Sequence, residues 1–189
     1  MVLRALAAAI SLVALVLAAI AAPDAPRAPV TPVPAPSVPV QMGRTHGPVQ
    51  PINYSHKIHA GKLGMNCLYC HTGAARSPIA NLPAVSTCMG CHKIVRTDRP
   101  EIQKLTGYYE RGEQVPWVEV YRLPDHVKFN HKRHVKAGVQ CTQCHGKVME
   151  MDVVYPAVSL KMGWCLECHR ARQNDPKFAT TMDCVTCHH

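Results

Sequence analysis

The sequence has few aromatic and few acidic residues. Aromatic side chains make up 5% of the 189 residues, with only two Phe and two Trp, so there is little material for an ordinary hydrophobic core. Asp and Glu number 12, against 21 Lys and Arg. This composition excludes a long multidomain enzyme, a coiled coil and a polytopic membrane protein, and the length indicates about one domain.

An apolar segment opens the chain at residues 1–22. Ala5 to Ala22 is uncharged, with nine Ala and eight Leu, Ile or Val. At about 1.5 Å per residue, a helix of this length reaches the lower limit for spanning a bilayer. The segment is either a membrane anchor or a signal peptide with an A-x-A cleavage site ending at Ala21. In both cases we expect the rest of the chain to be exported.

Residues 23–51 form a Pro-rich segment that contains nine prolines. So many fixed φ angles and missing donors prevent a packed element. We expect an extended tether between the membrane and a domain at 52–189; a disordered tail without function is the alternative.

All ten cysteines lie in C-x-x-C-H pentapeptides. The five motifs are Cys67, Cys70 and His71; Cys88, Cys91 and His92; Cys141, Cys144 and His145; Cys165, Cys168 and His169; and Cys184, Cys187 and His188. This is the attachment signature of c-type haem, in which two thiols bind one edge of the porphyrin and the His ligates the iron. A zinc site, a redox dithiol and a disulfide framework are the alternatives, but none requires a His after every second Cys. Five motifs without a leftover Cys predict five covalently bound haems.

Five haems also explain the composition. Residues 52–189 are too few to wrap each haem separately, so the haems must lie close together and form the core. We predict a mostly irregular fold with short α-helices, packed around the haems. The propionates of the haems offset the net charge of +7 in these residues, and we therefore expect no nucleic-acid partner.

The domain contains an internal duplication. Asn53–His59 and Lys128–His134 both place an aromatic residue two positions before the first His of an H-x-x-H pair. Each copy continues through P-A-V-S to a second motif. We predict two dihaem units at 53–93 and 128–170, with a fifth haem at 184–188.

The connection between the two units contains one candidate strand. Trp117–Tyr121 alternates apolar and polar residues between Pro116 and Pro124, which is typical of a short strand. We expect little other sheet.

The His residues outside the motifs are candidates for the sixth position on each iron. Because the two imidazoles of H-x-x-H lie almost one helical turn apart, they should bind two different haems. We predict His56, His59, His131, His134 and His126 as these ligands. His46, His189, or a Met such as Met162 or Met42 are the alternatives for the fifth position. Because these candidates outnumber the five irons, we expect a ligand in every sixth position. We therefore expect no catalytic residue.

The H-x-x-H before C-x-x-C-H resembles the class III multihaem cytochromes c. The resemblance implies that His56 binds the haem at Cys67 and Cys70, and that His131 binds the haem at Cys141 and Cys144. It also implies that His59 and His134 reach neighbouring haems.

Three longer segments are similar to the pentahaem cytochrome subunit of bacterial alternative complex III. They are Ile52–Gly61, Val115–His131 and Met162–Arg170. This resemblance implies a location at the bacterial cytoplasmic membrane, with the haem domain on the periplasmic or outer face. It implies electron transfer from an iron–sulfur subunit of the molybdopterin type to a monohaem cytochrome c or terminal oxidase, beside integral membrane subunits.

The leading hypothesis is an electron-transfer subunit without catalytic activity of its own, in a complex that oxidises quinol. The alternatives are a periplasmic multihaem reductase, a subunit that binds quinol itself, and a soluble electron shuttle.

Overall fold

The chain folds into short helices joined by irregular segments. The computed structural model describes residues 47–176, 178 and 180–189, and no β-strand occurs within these ranges. The α-helices are Cys67–Cys70, Val85–His92, Pro100–Glu110, His131–Lys136, Cys141–His145, Met162–Ala171 and Cys184–Cys187; a π-helix spans Lys57–Lys62, and 3₁₀ turns span Thr72–Ala75 and Val148–Glu150. The prediction of a mostly irregular chain with short α-helices is confirmed.

Side-chain caps start several of these helices. Asn66 accepts a hydrogen bond from the Leu68 amide at 2.8 Å, one residue before the first Cys motif. Asn130 and Asp183 cap the helices that begin at His131 and Cys184. In helices of four to six residues most backbone donors and acceptors have no partner within the helix. The caps therefore help to determine where the turns that begin at Cys67, His131 and Cys184 start.

The core built from protein side chains is small. Its connected cluster consists of Ile52, Val85, Met89, Leu105 and Val115; Ala74 and Met151 are buried elsewhere, and no described side chain is completely buried. Helix Pro100–Glu110 contributes Leu105 and packs against helix Val85–His92. The carboxylate of Glu101 accepts a hydrogen bond from the Asn53 amide at 2.7 Å. This contact anchors the segment that leads to the first H-x-x-H pair.

The predicted strand at Trp117–Tyr121 is wrong, because this segment is irregular. Both backbone groups of Val118 bond to the side-chain amide of Gln50, each at 2.9 Å. The Trp117 amide turns back to the Val115 carbonyl at 2.8 Å. A side chain thus takes the hydrogen bonds that a neighbouring strand would have supplied.

The predicted anchor at residues 1–22 and most of the Pro-rich tether lie outside the described residues. In the part of the chain that the structure describes, no helix is both long enough and apolar enough to cross a membrane.

Candidate haem sites

Each C-x-x-C motif lies on one helical turn. The two Cys are three residues apart, so their side chains share a face of the helix. None of the ten thiols forms a disulfide bond. Both thiols of each motif are therefore available to the same edge of a planar ligand.

All ten Cys side chains are at least partly accessible. Cys67, Cys91, Cys141 and Cys184 are exposed, whereas Cys70, Cys88, Cys144, Cys165, Cys168 and Cys187 are partly buried. In the second motif the partly buried thiol is the first one, Cys88, and Cys91 is the exposed one. In the fourth motif both Cys165 and Cys168 are partly buried. Accessible thiols suit thioether formation. The attachment of one haem to the two Cys of each motif stays a prediction.

Each His that ends a motif faces one His from another part of the chain. We number these pairs sites 1 to 5 in the order of their motifs. The ring centres are 6.4 Å apart in His56–His71, 6.1 Å in His59–His92, 6.4 Å in His131–His145, 6.1 Å in His134–His169 and 5.6 Å in His126–His188. These five pairs contain all ten His that the sequence analysis assigned to iron.

The spacing within the pairs fits one metal ion between two imidazoles. A metal–imidazole bond is about 2 Å long, as known from zinc sites, and the ring centre lies about 1 Å behind the nitrogen. Two imidazoles on opposite sides of one ion therefore have ring centres about 6 Å apart. Each pair supplies only two nitrogen donors. A metal ion that a porphyrin already holds takes two ligands from the protein, so this number matches. The residues present thus fit haem iron.

Backbone carbonyl groups orient most of these imidazoles. In seven of the ten, Nδ1 lies 2.8–3.1 Å from a backbone oxygen, and these are His59, His71, His92, His131, His134, His169 and His188. Because a carbonyl oxygen can only accept, Nδ1 carries the proton. Nε2 then has a free lone pair, which is the tautomer that binds metal.

Burial keeps several of these rings neutral. It lowers the pKa of His56 from 6.5 to about 4, with further lowering by the facing His71. Burial also lowers the pKa of His145 to about 4 and shifts the pKa of His134 in the same direction. All three imidazoles are therefore neutral at pH 7, as metal ligands must be.

One aromatic ring lies between the two His of each H-x-x-H pair. The Tyr54 ring stacks on His59 at 4.4 Å and meets His56 edge-on at 4.8 Å. In the second copy, the Phe129 ring stacks on His134 at 4.4 Å and meets His131 edge-on at 4.8 Å. The two copies thus share the same local geometry, which supports the predicted duplication.

Sequence reasoning missed Tyr121, which lies in the segment predicted to be a strand. Its ring packs edge-on against His145 at 4.7 Å. Its hydroxyl donates to the Tyr155 carbonyl and accepts from the Ala157 amide, both at 3.1 Å. Tyr121 therefore holds the motif His of site 3 against the loop before the fourth motif. No local pattern pointed to this role, because the partners are backbone groups more than 30 residues away.

The other candidates for the sixth position are not part of a pair or lie outside the described residues. His189 is exposed, and its Nδ1 lies 3.1 Å from the Val185 carbonyl. Met162 begins helix Met162–Ala171 and is 59% exposed. His46 and Met42 lie outside the described residues. Among the described residues, no cluster of three or more His, Cys, Asp or Glu side chains could hold a metal ion on protein ligands alone.

Short helices, paired Cys and facing His are the features that the sequence predicts for a multihaem cytochrome c. Residues 127–189, which contain the last three motifs, match the family of cytochrome c7 and related cytochrome c. Covalently bound c-type haem is the cofactor of this family.

One curated relative extends the comparison over most of the chain. The multihaem cytochrome c subunit of menaquinone reductase from Nitratidesulfovibrio vulgaris is 28% identical over 160 residues, which cover 74% of this chain and 76% of the relative. The chain is thus similar to this subunit over about three quarters of its own length. Membership of an alternative complex III stays a prediction.

Proposed function

We propose that this chain is an electron-transfer subunit that binds five c-type haems, one at each site. The observation that carries the proposal is the pairing of all five motif His with five other His at the spacing of one metal ion. The ten Cys would hold the haems as thioethers, and the ten His of sites 1 to 5 would ligate their iron.

The described side chains explain why such sites would relay electrons and not bind substrate. Bound c-type haem supplies reversible one-electron transfer. Two imidazoles per site would ligate the iron and thus keep small molecules from binding to it. The carbonyl groups beside seven of the ten Nδ1 atoms hold those rings in place and would raise their basicity, which would stabilise the oxidised state. The chain therefore tunes potentials but performs no catalysis of its own.

We propose that this relay serves quinone-linked respiration at the bacterial cytoplasmic membrane. The apolar run at residues 5–22 supports a membrane attachment with the haem domain on the periplasmic or outer face. On the resemblance to alternative complex III, an iron–sulfur or molybdopterin-type subunit that oxidises quinol delivers the electrons. A monohaem cytochrome c or a terminal oxidase accepts them, and integral membrane subunits complete the assembly.

The second candidate for the direction of electron flow is from a periplasmic donor towards a quinone. The relative is named as a menaquinone reductase subunit, which describes electron flow towards a quinone. Sites with two His ligands serve both directions, so the partners determine the direction. Adding a quinol to the native membrane complex should reduce the haems without another donor. If only an added periplasmic donor reduces them, and quinone then reoxidises them, the reductase direction is correct.

Haem content tests the proposal most directly. A haemochrome assay with an intact mass should give five haems per chain, and EPR should show low-spin ferric iron throughout. A colourless protein, or a mass equal to that of its amino acids, would refute the proposal. A high-spin signal that shifts with nitrite or CO would instead support a multihaem reductase. An intact mass that corresponds to cleavage after Ala21 would identify a soluble shuttle. Rapid reduction of the isolated subunit by quinol would place a quinol site on this chain.

A further inference from the structure

The contacts between sites reveal their order in space. Sites 1 and 2 are neighbours because His56 and His59 lie three residues apart and both contact the Tyr54 ring, at 4.8 and 4.4 Å. Sites 3 and 4 are neighbours for the same reason, through Phe129 and its two His at 4.8 and 4.4 Å.

The two duplicated units meet through equivalent residues. The Lys57 amide donates to the Met151 carbonyl at 2.9 Å, and the Lys132 amide donates to the Ser77 carbonyl at 3.1 Å. In each bond the donor follows the first His of H-x-x-H, and the acceptor lies six residues after the motif His of the opposite unit. Such reciprocal contacts are the signature of a two-fold interface, which here lies within one chain.

Sites 1 and 3 lie at this interface. Helix His131–Lys136, which begins at the His of site 3, packs against the turn Thr72–Ala75, which directly follows His71 of site 1. One loop also serves both sites, because the Pro78 carbonyl binds His131 Nδ1 at 2.9 Å and the Asn81 carbonyl binds His71 Nδ1 at 2.8 Å. The units therefore meet at their first sites.

Site 5 adjoins site 4. The Thr181 carbonyl, three residues before the fifth motif, lies 2.8 Å from Nδ1 of His169 in site 4. The Lys128 amide donates to the Cys187 carbonyl at 2.7 Å, next to the Phe129 ring that stacks on site 4.

Site 2 lies at the opposite end. Its motif helix Val85–His92 packs against helix Pro100–Glu110, which carries neither Cys nor His. Its His92 Nδ1 lies 3.0 Å from the carbonyl of Val95, which is 50% exposed beside Ile94 at 86%. The contacts of site 2 with another site thus run through Tyr54 to site 1.

We infer that the five haem sites form one unbranched line in the order 2–1–3–4–5, with sites 2 and 5 as the ends at which redox partners exchange electrons. This order differs from the order of the motifs in the chain, because the duplicated units meet head to head. The inference rests on the proposed function, since it requires all five sites to hold haem.

Nuclear Overhauser effects between haems test the order. Low-spin ferrous haem is diamagnetic, so in the fully reduced full-length protein such effects should connect sites 2–1, 1–3, 3–4 and 4–5 and no other pair. Tyr54 and Phe129 ring protons assign the haems in the wild-type protein, because each ring should contact only the two haems of its own unit.

A matched pair of variants labels an end and an interior site. His59→Met and His134→Met occupy equivalent positions of the duplication, and Met ligation raises the potential of the haem it binds. In the His59→Met variant, the haem of site 2 should show nuclear Overhauser effects to one other haem. In the His134→Met variant, the haem of site 4 should show them to two. The order would be overturned if the haem of site 2 showed nuclear Overhauser effects to two other haems. It would also be overturned if no such effect connected the haems of sites 1 and 3.

The wild-type measurement decides the order even where a variant does not load haem. Five low-spin haems with another neighbour pattern would refute only the order, whereas fewer than five would refute the proposed function.

Discussion

Removing the Tyr54 ring should destabilise the protein and disturb two sites at once. The ring stacks on His59 of site 2, meets His56 of site 1 edge-on, and lies 6.4 Å from Trp117. Burial raises the pKa of its hydroxyl to about 12, so the side chain is neutral and acts through its ring. We therefore expect Tyr54→Ala to affect packing and ligand orientation together.

Two routes give the same magnitude for the loss in stability. Truncating a buried aromatic residue to Ala costs about 3–5 kcal/mol, and the half-buried Tyr54 should lose about half of that. Alternatively, two close ring pairs contribute about 0.5–1.5 kcal/mol each beyond their burial. We expect Tyr54→Ala to lower the free energy of unfolding by about 2 kcal/mol. Tyr54→Phe should cost less than about 0.5 kcal/mol, because Phe129 fills the equivalent position without a hydroxyl.

EPR of the oxidised protein separates a positioning role from simple loss of stability. The angle between the two imidazole planes determines the low-spin signal, and it is 5° at site 1 and 66° at site 2. Tyr54→Ala should change the signals of these two sites, whereas Phe129→Ala should change those of sites 3 and 4. The reasoning is refuted if Tyr54→Ala unfolds like the wild type, or if both variants alter the same signals.

Three other predictions follow from single residues. His59→Ala should open one axial position and produce a high-spin signal that responds to CO, whereas His189→Ala, outside the five pairs, should leave every haem low-spin; equal responses of the two variants would contradict the pairing. Gly61→Ala should destabilise the interface between the units, because its Cβ would overlap the Met149 carbonyl oxygen. Its control Gly107→Ala should stabilise helix Pro100–Glu110 by about 0.5–1 kcal/mol, since the new Cβ meets only the flexible end of Arg111. Denaturation curves measure both effects, and a Gly61→Ala variant more stable than the Gly107→Ala variant would refute this. The hydrogen bond from Lys104, followed by that from the Asn53 amide, lowers the pKa of Glu101 below 4.5, so its contribution to stability is complete above that value and is lost as the pH falls through the folded-state pKa. Glu101→Gln should remove this component of the acid titration of stability, and an unchanged titration would show that the carboxylate does not anchor Asn53.

Sequence reasoning was most informative where ligands are encoded locally. The C-x-x-C-H and H-x-x-H spacings are consequences of helix geometry, and the structure brings together in pairs the nine His that these patterns selected and His126, which neither pattern contains. The pairing of His56 with His71 and of His131 with His145 agrees with the resemblance to class III cytochromes. The ligand roles themselves stay predictions until the haem-loaded protein is measured.

The errors and omissions share one cause. The alternation at Trp117–Tyr121 predicted a strand, but the distant Gln50 side chain takes the hydrogen bonds of Val118. Tyr121 and the carbonyl groups of Pro78, Asn81 and Thr181 support His rings through long-range contacts. Every residue carries a carbonyl group, so no sequence pattern distinguishes the few that lie beside an imidazole.

By itself, the sequence determined where Cys residues stand three positions apart and which His follows each Cys pair. These features depend on neighbours within a few residues, and chain geometry alone relates them. Only the tertiary structure decided that the two copies meet beside His71 and His131, where the carbonyl groups of Asn81 and Pro78 accept from the two imidazoles. That arrangement depends on contacts between residues 53 or more positions apart, and their energies are set by packing that no local spacing encodes.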